Sequence, residues 1–148
     1  MSAMNIRQAV ERDRADWARM RHALWPGSLS DHEIEVRSHF ETAAAAPIVF
    51  VAEAQDRLVG FLELDFRKYA PGCASSPVPF IEGWYVEPSI RKRGIGRALV
   101  IAAATWARAA GYREIASDAD ITNVDSHAAH AALGFEEVER VVCFRRAI

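Results

Sequence analysis

Apolar and polar positions follow two rhythms along this chain, and the switches between them mark its elements. Residues 4–10 alternate with the period of a strand. Trp17, Met20, Arg21 and Leu24 then recur at helical spacing behind Asp13, a suitable capping residue, until Trp25-Pro26-Gly27 breaks the helix. Ser30, with Glu33 three positions on, has the pattern of a capping box opening a second helix. Residues 47–54 and 58–69 read as two strands joined by a turn around Gln55-Asp56-Arg57, and the Pro-, Gly- and Ser-rich stretch 69–79 reads as a loop. Residues 80–87 form the central strand. A long helix over 94–110 presents Leu99, Val100, Ala103 and Trp106 on one face and ends at Gly111. A strand over 114–119, a helix over 123–133 ended by Gly134, and a final strand over 135–146 complete the expectation. Strand, helix and strand over 80–119 imply a right-handed parallel crossover.

At 148 residues, with 51% apolar and 26% charged, the chain is expected to be one domain that buries its own core without disulfides or metal. No apolar run reaches membrane-spanning length and no leader pattern is present, so a cytoplasmic protein that does not engage membranes is expected. Cys73 and Cys143 lack metal-ligand spacing. A formal net charge of -2 argues against nucleic acid as a partner and is compatible with a cationic one.

Chemistry concentrates around residues 81–99. A strand runs into the basic turn Arg91-Lys92-Arg93-Gly94-Ile95-Gly96, and a helix follows. The first amides of a helix have no internal partner, its dipole adds partial positive charge, and glycine admits close approach, so this geometry suits a phosphate. An ordinary helix start beside a solvated basic run is the competing reading. The turn is neither a P-loop nor a dinucleotide fingerprint. It does resemble the R/Q-x-x-G-x-G/A element of the GCN5-related N-acetyltransferases (GNAT), with Arg91, Gly94 and Gly96 in register. That family's downstream element is matched by Asn123, Ser126, His130, Gly134 and Phe135, with His130 in place of the usual tyrosine. The stretches F-I-E-G-W-Y-V-E-P, A-S-D-A-D, N-V-D-S-H-A-A-H-A-A-L-G-F-E-E and E-R-V-V-C-F resemble the chromosomally encoded aminoglycoside 6'-N-acetyltransferases. R-H-A-L-W-P and Y-A-P-G-C-A-S-S-P-V do so too, and together they span nearly the whole chain.

The resemblance implies a mixed α/β fold, with a largely antiparallel central sheet flanked by helices, and acetyl-coenzyme A as co-substrate without a metal. It places the coenzyme against Trp84, Tyr85 and Val86 of the central strand, against Arg91, Arg93, Gly94, Ile95, Gly96 and Arg97 of the turn, and near Asn123. It implies transfer of acetyl to the 6'-amine of an aminoglycoside by direct attack in a ternary complex. Another cationic amine as acceptor, or a non-catalytic acyl-coenzyme A sensor, are the alternatives.

Glu82 interrupts an apolar strand and is the candidate for deprotonating or orienting the amine; a carboxylate paired with a neighbouring arginine is the competing reading. Gly83 beside it suggests a bulge that frees backbone amides. Asp118 and Asp120, two apart at a strand end, either hold ammonium groups or cap the following turn. Trp25, Tyr69 and Tyr85 are candidates for stacking on sugar rings or for core and rim packing. The carboxylates Asp31, Glu33, Glu35 and Glu41 line the second helix, mostly as a solvated face. His130 is either the acid that protonates the leaving thiolate or a satisfied helix histidine. Residues 135–148 contain no hairpin-forming Gly, Pro, Asn or Asp, so one long apolar strand at a sheet edge is expected, and with it a homodimer that buries that edge.

Overall fold

The computed structural model describes residues 3–43 and 45–148. Its strands are β1 (Asn5–Gln8), β2 (Ile48–Ala54), β3 (Arg57–Arg67), β4 (Val78–Val86) and β5 (Ala116–Ser117). Its helices are α1 (Arg14–Leu24), α2 (Leu29–Glu41), α3 (Ile95–Ala109) and α4 (Val124–Ala132). The sheet runs β1-β2-β3-β4-β5, antiparallel until β5, which joins β4 in parallel after the α3 crossover. The expected mixed, largely antiparallel architecture is therefore the one observed.

Helices cover both faces. Trp17, Ala18 and Met20 of α1 and Val36 of α2 bury against Val49, Val51, Leu58, Phe61 and Tyr85. On the opposite face Leu99, Val100 and Ala103 of α3 bury against Phe50, Leu62, Leu64, Ile81 and Val86. Gln55 and Asp56 both have positive φ, which turns β2 tightly into β3.

Four expectations are corrected at element ends. The second helix is capped by Ser28, whose hydroxyl accepts from the Asp31 amide at 3.3 Å, and not by Ser30 with Glu33. Asp13 sits at the cap position of α1, but its carboxylate takes the Arg7 guanidinium and the Val10 amide instead. The strand expected over 114–119 pairs only through Ala116 and Ser117, opposite Phe80 and Ile81 of β4. Residues 135–146 form no strand: a strand needs a partner edge, and among the described residues none pairs with this segment.

Glu63 on β3 is a buried carboxylate and faces Gly83 across the β3–β4 pairing. It accepts from the Trp17 indole at 3.0 Å and from the Arg21 guanidinium, which also reaches Glu35 on α2. Burial pushes the Glu63 carboxyl above its ordinary range, although Arg21 and the Trp17 N–H favour its charged form. Arg21→Met removes the compensating cation and is expected to destabilise the fold by about 3–5 kcal/mol at neutral pH. A Glu with a raised folded-state pKa is penalised above its unfolded pKa, so the loss should shrink as pH falls toward that value and the carboxyl takes up a proton. Urea denaturation at pH 7 and pH 5 measures both effects; unchanged midpoints at both would contradict the account.

Candidate active site

The site is built on an irregularity in β4. In register with β3, Glu63 faces Gly83 and Leu64 faces Ile81, so Glu82 is the extra residue of a bulge. Strict alternation would put Ile81, Gly83 and Tyr85 on one face of the sheet. The bulge breaks it: Ile81 packs with α3, while Tyr85 packs with α1. The bulge expected beside Gly83 is thus present. Its glycine leaves room for an indole, because a Cβ at Gly83 would lie 2.5 Å from the Trp25 ring. Trp25 rests there between Phe61, His32 and the Arg21 guanidinium, half-buried, so packing accounts for much of its surface.

Beyond Ile81, β4 has no strand on its β5 side among the described residues. Its edge from Glu82 to Tyr85 has no strand partner among the described residues and lies between two chemically different faces, and at its end the Val86 carbonyl is taken by Arg91. On the α1/α2 face stands Glu82, paired with an arginine as the competing reading had it. Arg67 donates to both of its oxygens at 2.7 Å, and a third of the Glu82 side chain remains exposed. Glu82 first, and Asp118 to a smaller extent, stabilise the Arg67 charge and raise its pKa above the usual arginine value. Asp118 lies 4.0 Å from Arg67 and is 72% exposed. Asp120 turns away: its Oδ1 accepts from the Thr122 hydroxyl at 2.6 Å and the Thr122 amide at 2.8 Å, which lowers its pKa. The two aspartates do not share a strand face, since β5 ends at Ser117, and Asp120 is a turn cap. Tyr69 stands out into solvent at 71% exposure, whereas Tyr85 is buried in the α1/α2 core and is no sugar-stacking surface.

On the other face, the Trp84 indole donates to the Gly96 carbonyl at 3.2 Å and meets the His130 ring edge-on at 5.2 Å. His130 Nδ1 lies 2.7 Å from the Ser126 carbonyl and Nε2 lies 2.8 Å from the Ser117 hydroxyl. A carbonyl only accepts, so Nδ1 carries a proton; in the neutral ring Nε2 then accepts from the Ser117 O–H. Both ring nitrogens are occupied, as the satisfied-histidine reading requires, yet the ring stands beside the open β4 edge.

Gly94 opens α3 in the left-handed region at φ 85°, with no acidic residue in the helix's first turn. A side chain there would meet no neighbour, so the backbone conformation is what calls for glycine. Lys92, Arg93 and Arg97 are exposed around this helix start, and Ile95 and Val86 are buried beneath it. Arg91 is placed differently from expectation: its Nε donates to the Val86 carbonyl at 2.7 Å, closing the end of β4. Asn123 caps α4 through the Ser126 amide at 3.2 Å. Among the described residues no group of three or more His, Cys, Asp and Glu gathers to hold a metal.

Sequence reasoning missed Arg67, Ser117 and the Glu63–Arg21 pair. Arg67 and Glu82 are 15 positions apart on strands joined by an irregular loop, and their pairing depends on the bulge. Ser117 could have been found as the small polar residue heading the A-S-D-A-D stretch.

Residues 15–135 match the family model described as the acetyltransferase (GNAT) family. The chain is 46% identical over 145 residues to aminoglycoside N(6')-acetyltransferase type 1 of Stenotrophomonas maltophilia, covering 97% of this chain and 94% of that protein. It is 38% identical over 146 residues to the protein of that description from Acinetobacter haemolyticus, with 98% and 99% coverage. Among solved structures it is similar to aminoglycoside N-acetyltransferase AAC(6')-Iy in complex with CoA, at a TM-score of 0.92, 38% identity and coverage of 100% and 97%. It is also similar to AAC(6')-Iy bound to the bisubstrate analog CoA-S-monomethyl-acetylneamine, at a TM-score of 0.90, 38% identity and coverage of 99% and 100%.

The hydrogen bonds of His130 specify one neutral tautomer. Long-range proton–nitrogen NMR correlation, at a pH where the ring is neutral, is expected to find the proton on Nδ1. A proton on Nε2 would contradict the assignment of Ser117 as donor.

Proposed function

The chain belongs to the acetyltransferase (GNAT) family, and we propose that it transfers acetyl from acetyl-coenzyme A to the 6'-amine of aminoglycosides. The observation that carries this reading is the open edge of β4 beyond Ile81, with a carboxylate on one face and a left-handed glycine opening α3 beside it. The relatives named as aminoglycoside N(6')-acetyltransferases support the acceptor, and the structures in complex with CoA and a bisubstrate analog support the donor.

The residues fit the coenzyme. Amides at the start of α3, with Arg93 and Arg97 at hand, suit a pyrophosphate, and the β4 edge around Trp84, which has no strand partner among the described residues, suits an extended amide-bearing arm. The thioester supplies an activated acetyl carbon and a thiolate leaving group. Direct attack in a ternary complex forms the amide C–N bond as the C–S bond breaks, and no cysteine acyl carrier is invoked. An alkyl amine is mostly protonated at neutral pH, so its ammonium form has to lose a proton before the nitrogen attacks. Glu82, directly or through water, orients the amine and takes that proton on the α1/α2 face. Asp118 adds negative charge to the acceptor face, while Tyr69 and the exposed part of Trp25 border the acceptor. On the opposite face His130 and Ser117 form a hydrogen-bonded pair beside Trp84, placed to return a proton to the departing sulfur when His130 is protonated. Acetylation of a different cationic amine is the second reading, favoured only by the generality of a carboxylate as an ammonium site.

Thiol release tests the function most simply, with kanamycin A, which carries a 6'-amine, and paromomycin, which carries a hydroxyl there. Turnover is expected with the first and not at the 6' position of the second. Glu82→Gln should lower turnover of the first well over tenfold while leaving coenzyme affinity near normal. Equal turnover of both compounds, or an unchanged Glu82→Gln enzyme, would overturn the assignment.

We further propose a homodimer. Val141, Val142 and Phe144 are 63%, 77% and 92% exposed, and β5 is the last strand of the sheet among the described residues. An apolar segment and a sheet's last strand in one chain are complementary to the same features of a second copy. Light scattering during size-exclusion chromatography is expected to give twice the 16.4 kDa chain mass. A monomer mass that persists at high micromolar concentration would exclude the dimer.

A further inference from the structure

The acceptor face contains a cation of its own. The Arg67 fork occupies both Glu82 oxygens at 2.7 Å, and its Cζ lies 3.5 Å from the centroid of the Phe80 ring. A second cation brought to that carboxylate meets like-charge repulsion at contact distance. We propose that Arg67 is a resident counter-ion, a specificity-determining residue that the acceptor's ammonium displaces from Glu82 and that thereby sets acceptor affinity. The inference rests on the reading of Glu82 as the amine-facing carboxylate.

The surroundings suit an exchangeable partner. Arg67 and Glu82 are 41% and 33% exposed, so water reaches the pair and weakens it relative to a buried one. Phe80 supports the guanidinium by stacking and cation–π attraction wherever its fork points. Asp118, at 4.0 Å from Nη2, gives the displaced guanidinium a second carboxylate, so no unpaired charge results. The buried Arg21–Glu63 pair nearby has the opposite character: both side chains are nearly closed to solvent, and neither can be exchanged by a ligand. Acceptor affinity then reflects competition between two cations for Glu82, and removing the resident one strengthens binding.

The test is the dissociation constant of kanamycin A, measured by titration calorimetry with coenzyme A present, for wild type, Arg67→Met and Arg67→Lys. Arg67→Met keeps a long apolar stem over Phe80 and is expected to tighten binding about fivefold, the size of a partly exposed ion pair. Arg67→Lys keeps the charge but loses the fork and should tighten binding less. Coenzyme affinity should be unchanged in both. Weaker or unchanged acceptor binding in folded Arg67→Met means that Arg67 merely holds Glu82 in place, and overturns the inference. If Arg67→Met does not fold, unchanged or weaker binding by Arg67→Lys overturns it alone. Wild-type turnover of kanamycin A is scored separately: its absence removes the functional reading and this inference with it, whereas turnover with the wrong direction in the variants removes only the inference.

Discussion

The site depends on one constraint, which is that β4 is paired on both sides only as far as Ile81. Backbone N–H and C=O groups are obligatory hydrogen-bonding groups, and a strand edge without a partner is a standing offer to whatever can complete it. Here the opening runs between a carboxylate-bearing face and a histidine-bearing face, directly upstream of a helix whose own first amides lack partners. A ligand with an anionic end and an extended, amide-bearing arm satisfies both deficits at once. An extended ligand held along a strand edge in this way needs no deep cavity.

Keeping that edge open requires the rest of the sheet to be firm. The bulge at Glu82 reverses the facing of the strand, so Ile81 and Val86 serve the α3 core while Tyr85 serves the α1 core. Opposite the bulge, Glu63 ties β3 to α1 through Trp17 and Arg21, and Arg21 lies beneath the Trp25 ring that covers Gly83. The buried ion pair and the functional bulge are therefore neighbours in one packed layer. A buried charge pair is weak evidence of stabilisation by itself. Its place here fits a role in holding one arrangement of helix, indole and strand.

Much of the fold was legible because its signals are local. Gly94, Gly111 and Gly134 all adopt positive φ where the helical pattern starts or stops, and the apolar face of α3 is the one that buries. What failed was non-local. Whether Glu82 is alone or paired depends on a partner 15 residues earlier and on a register shift, and neither shows in a strand's alternation. Asp118 and Asp120 read as a pair only if the strand continues, and its pairing with β4 stops at Ser117. The segment 135–146 has a strand's composition, but propensity without a partner edge makes no ladder in a single chain. The resemblance to acetyltransferases located the turn and the histidine; it did not foresee that Ser117 donates to that ring or that Arg67 sits on Glu82.

Amide hydrogen exchange with and without acetyl-coenzyme A tests the central constraint most directly, because it reads the β4 edge residue by residue. The expected result is new protection confined to amides from Glu82 to Val86 and to the first turn of α3, with β1 and β2 unchanged. Protection elsewhere in the sheet, or none along that edge at saturating coenzyme, would contradict the placement of the co-substrate in the gap beside β4.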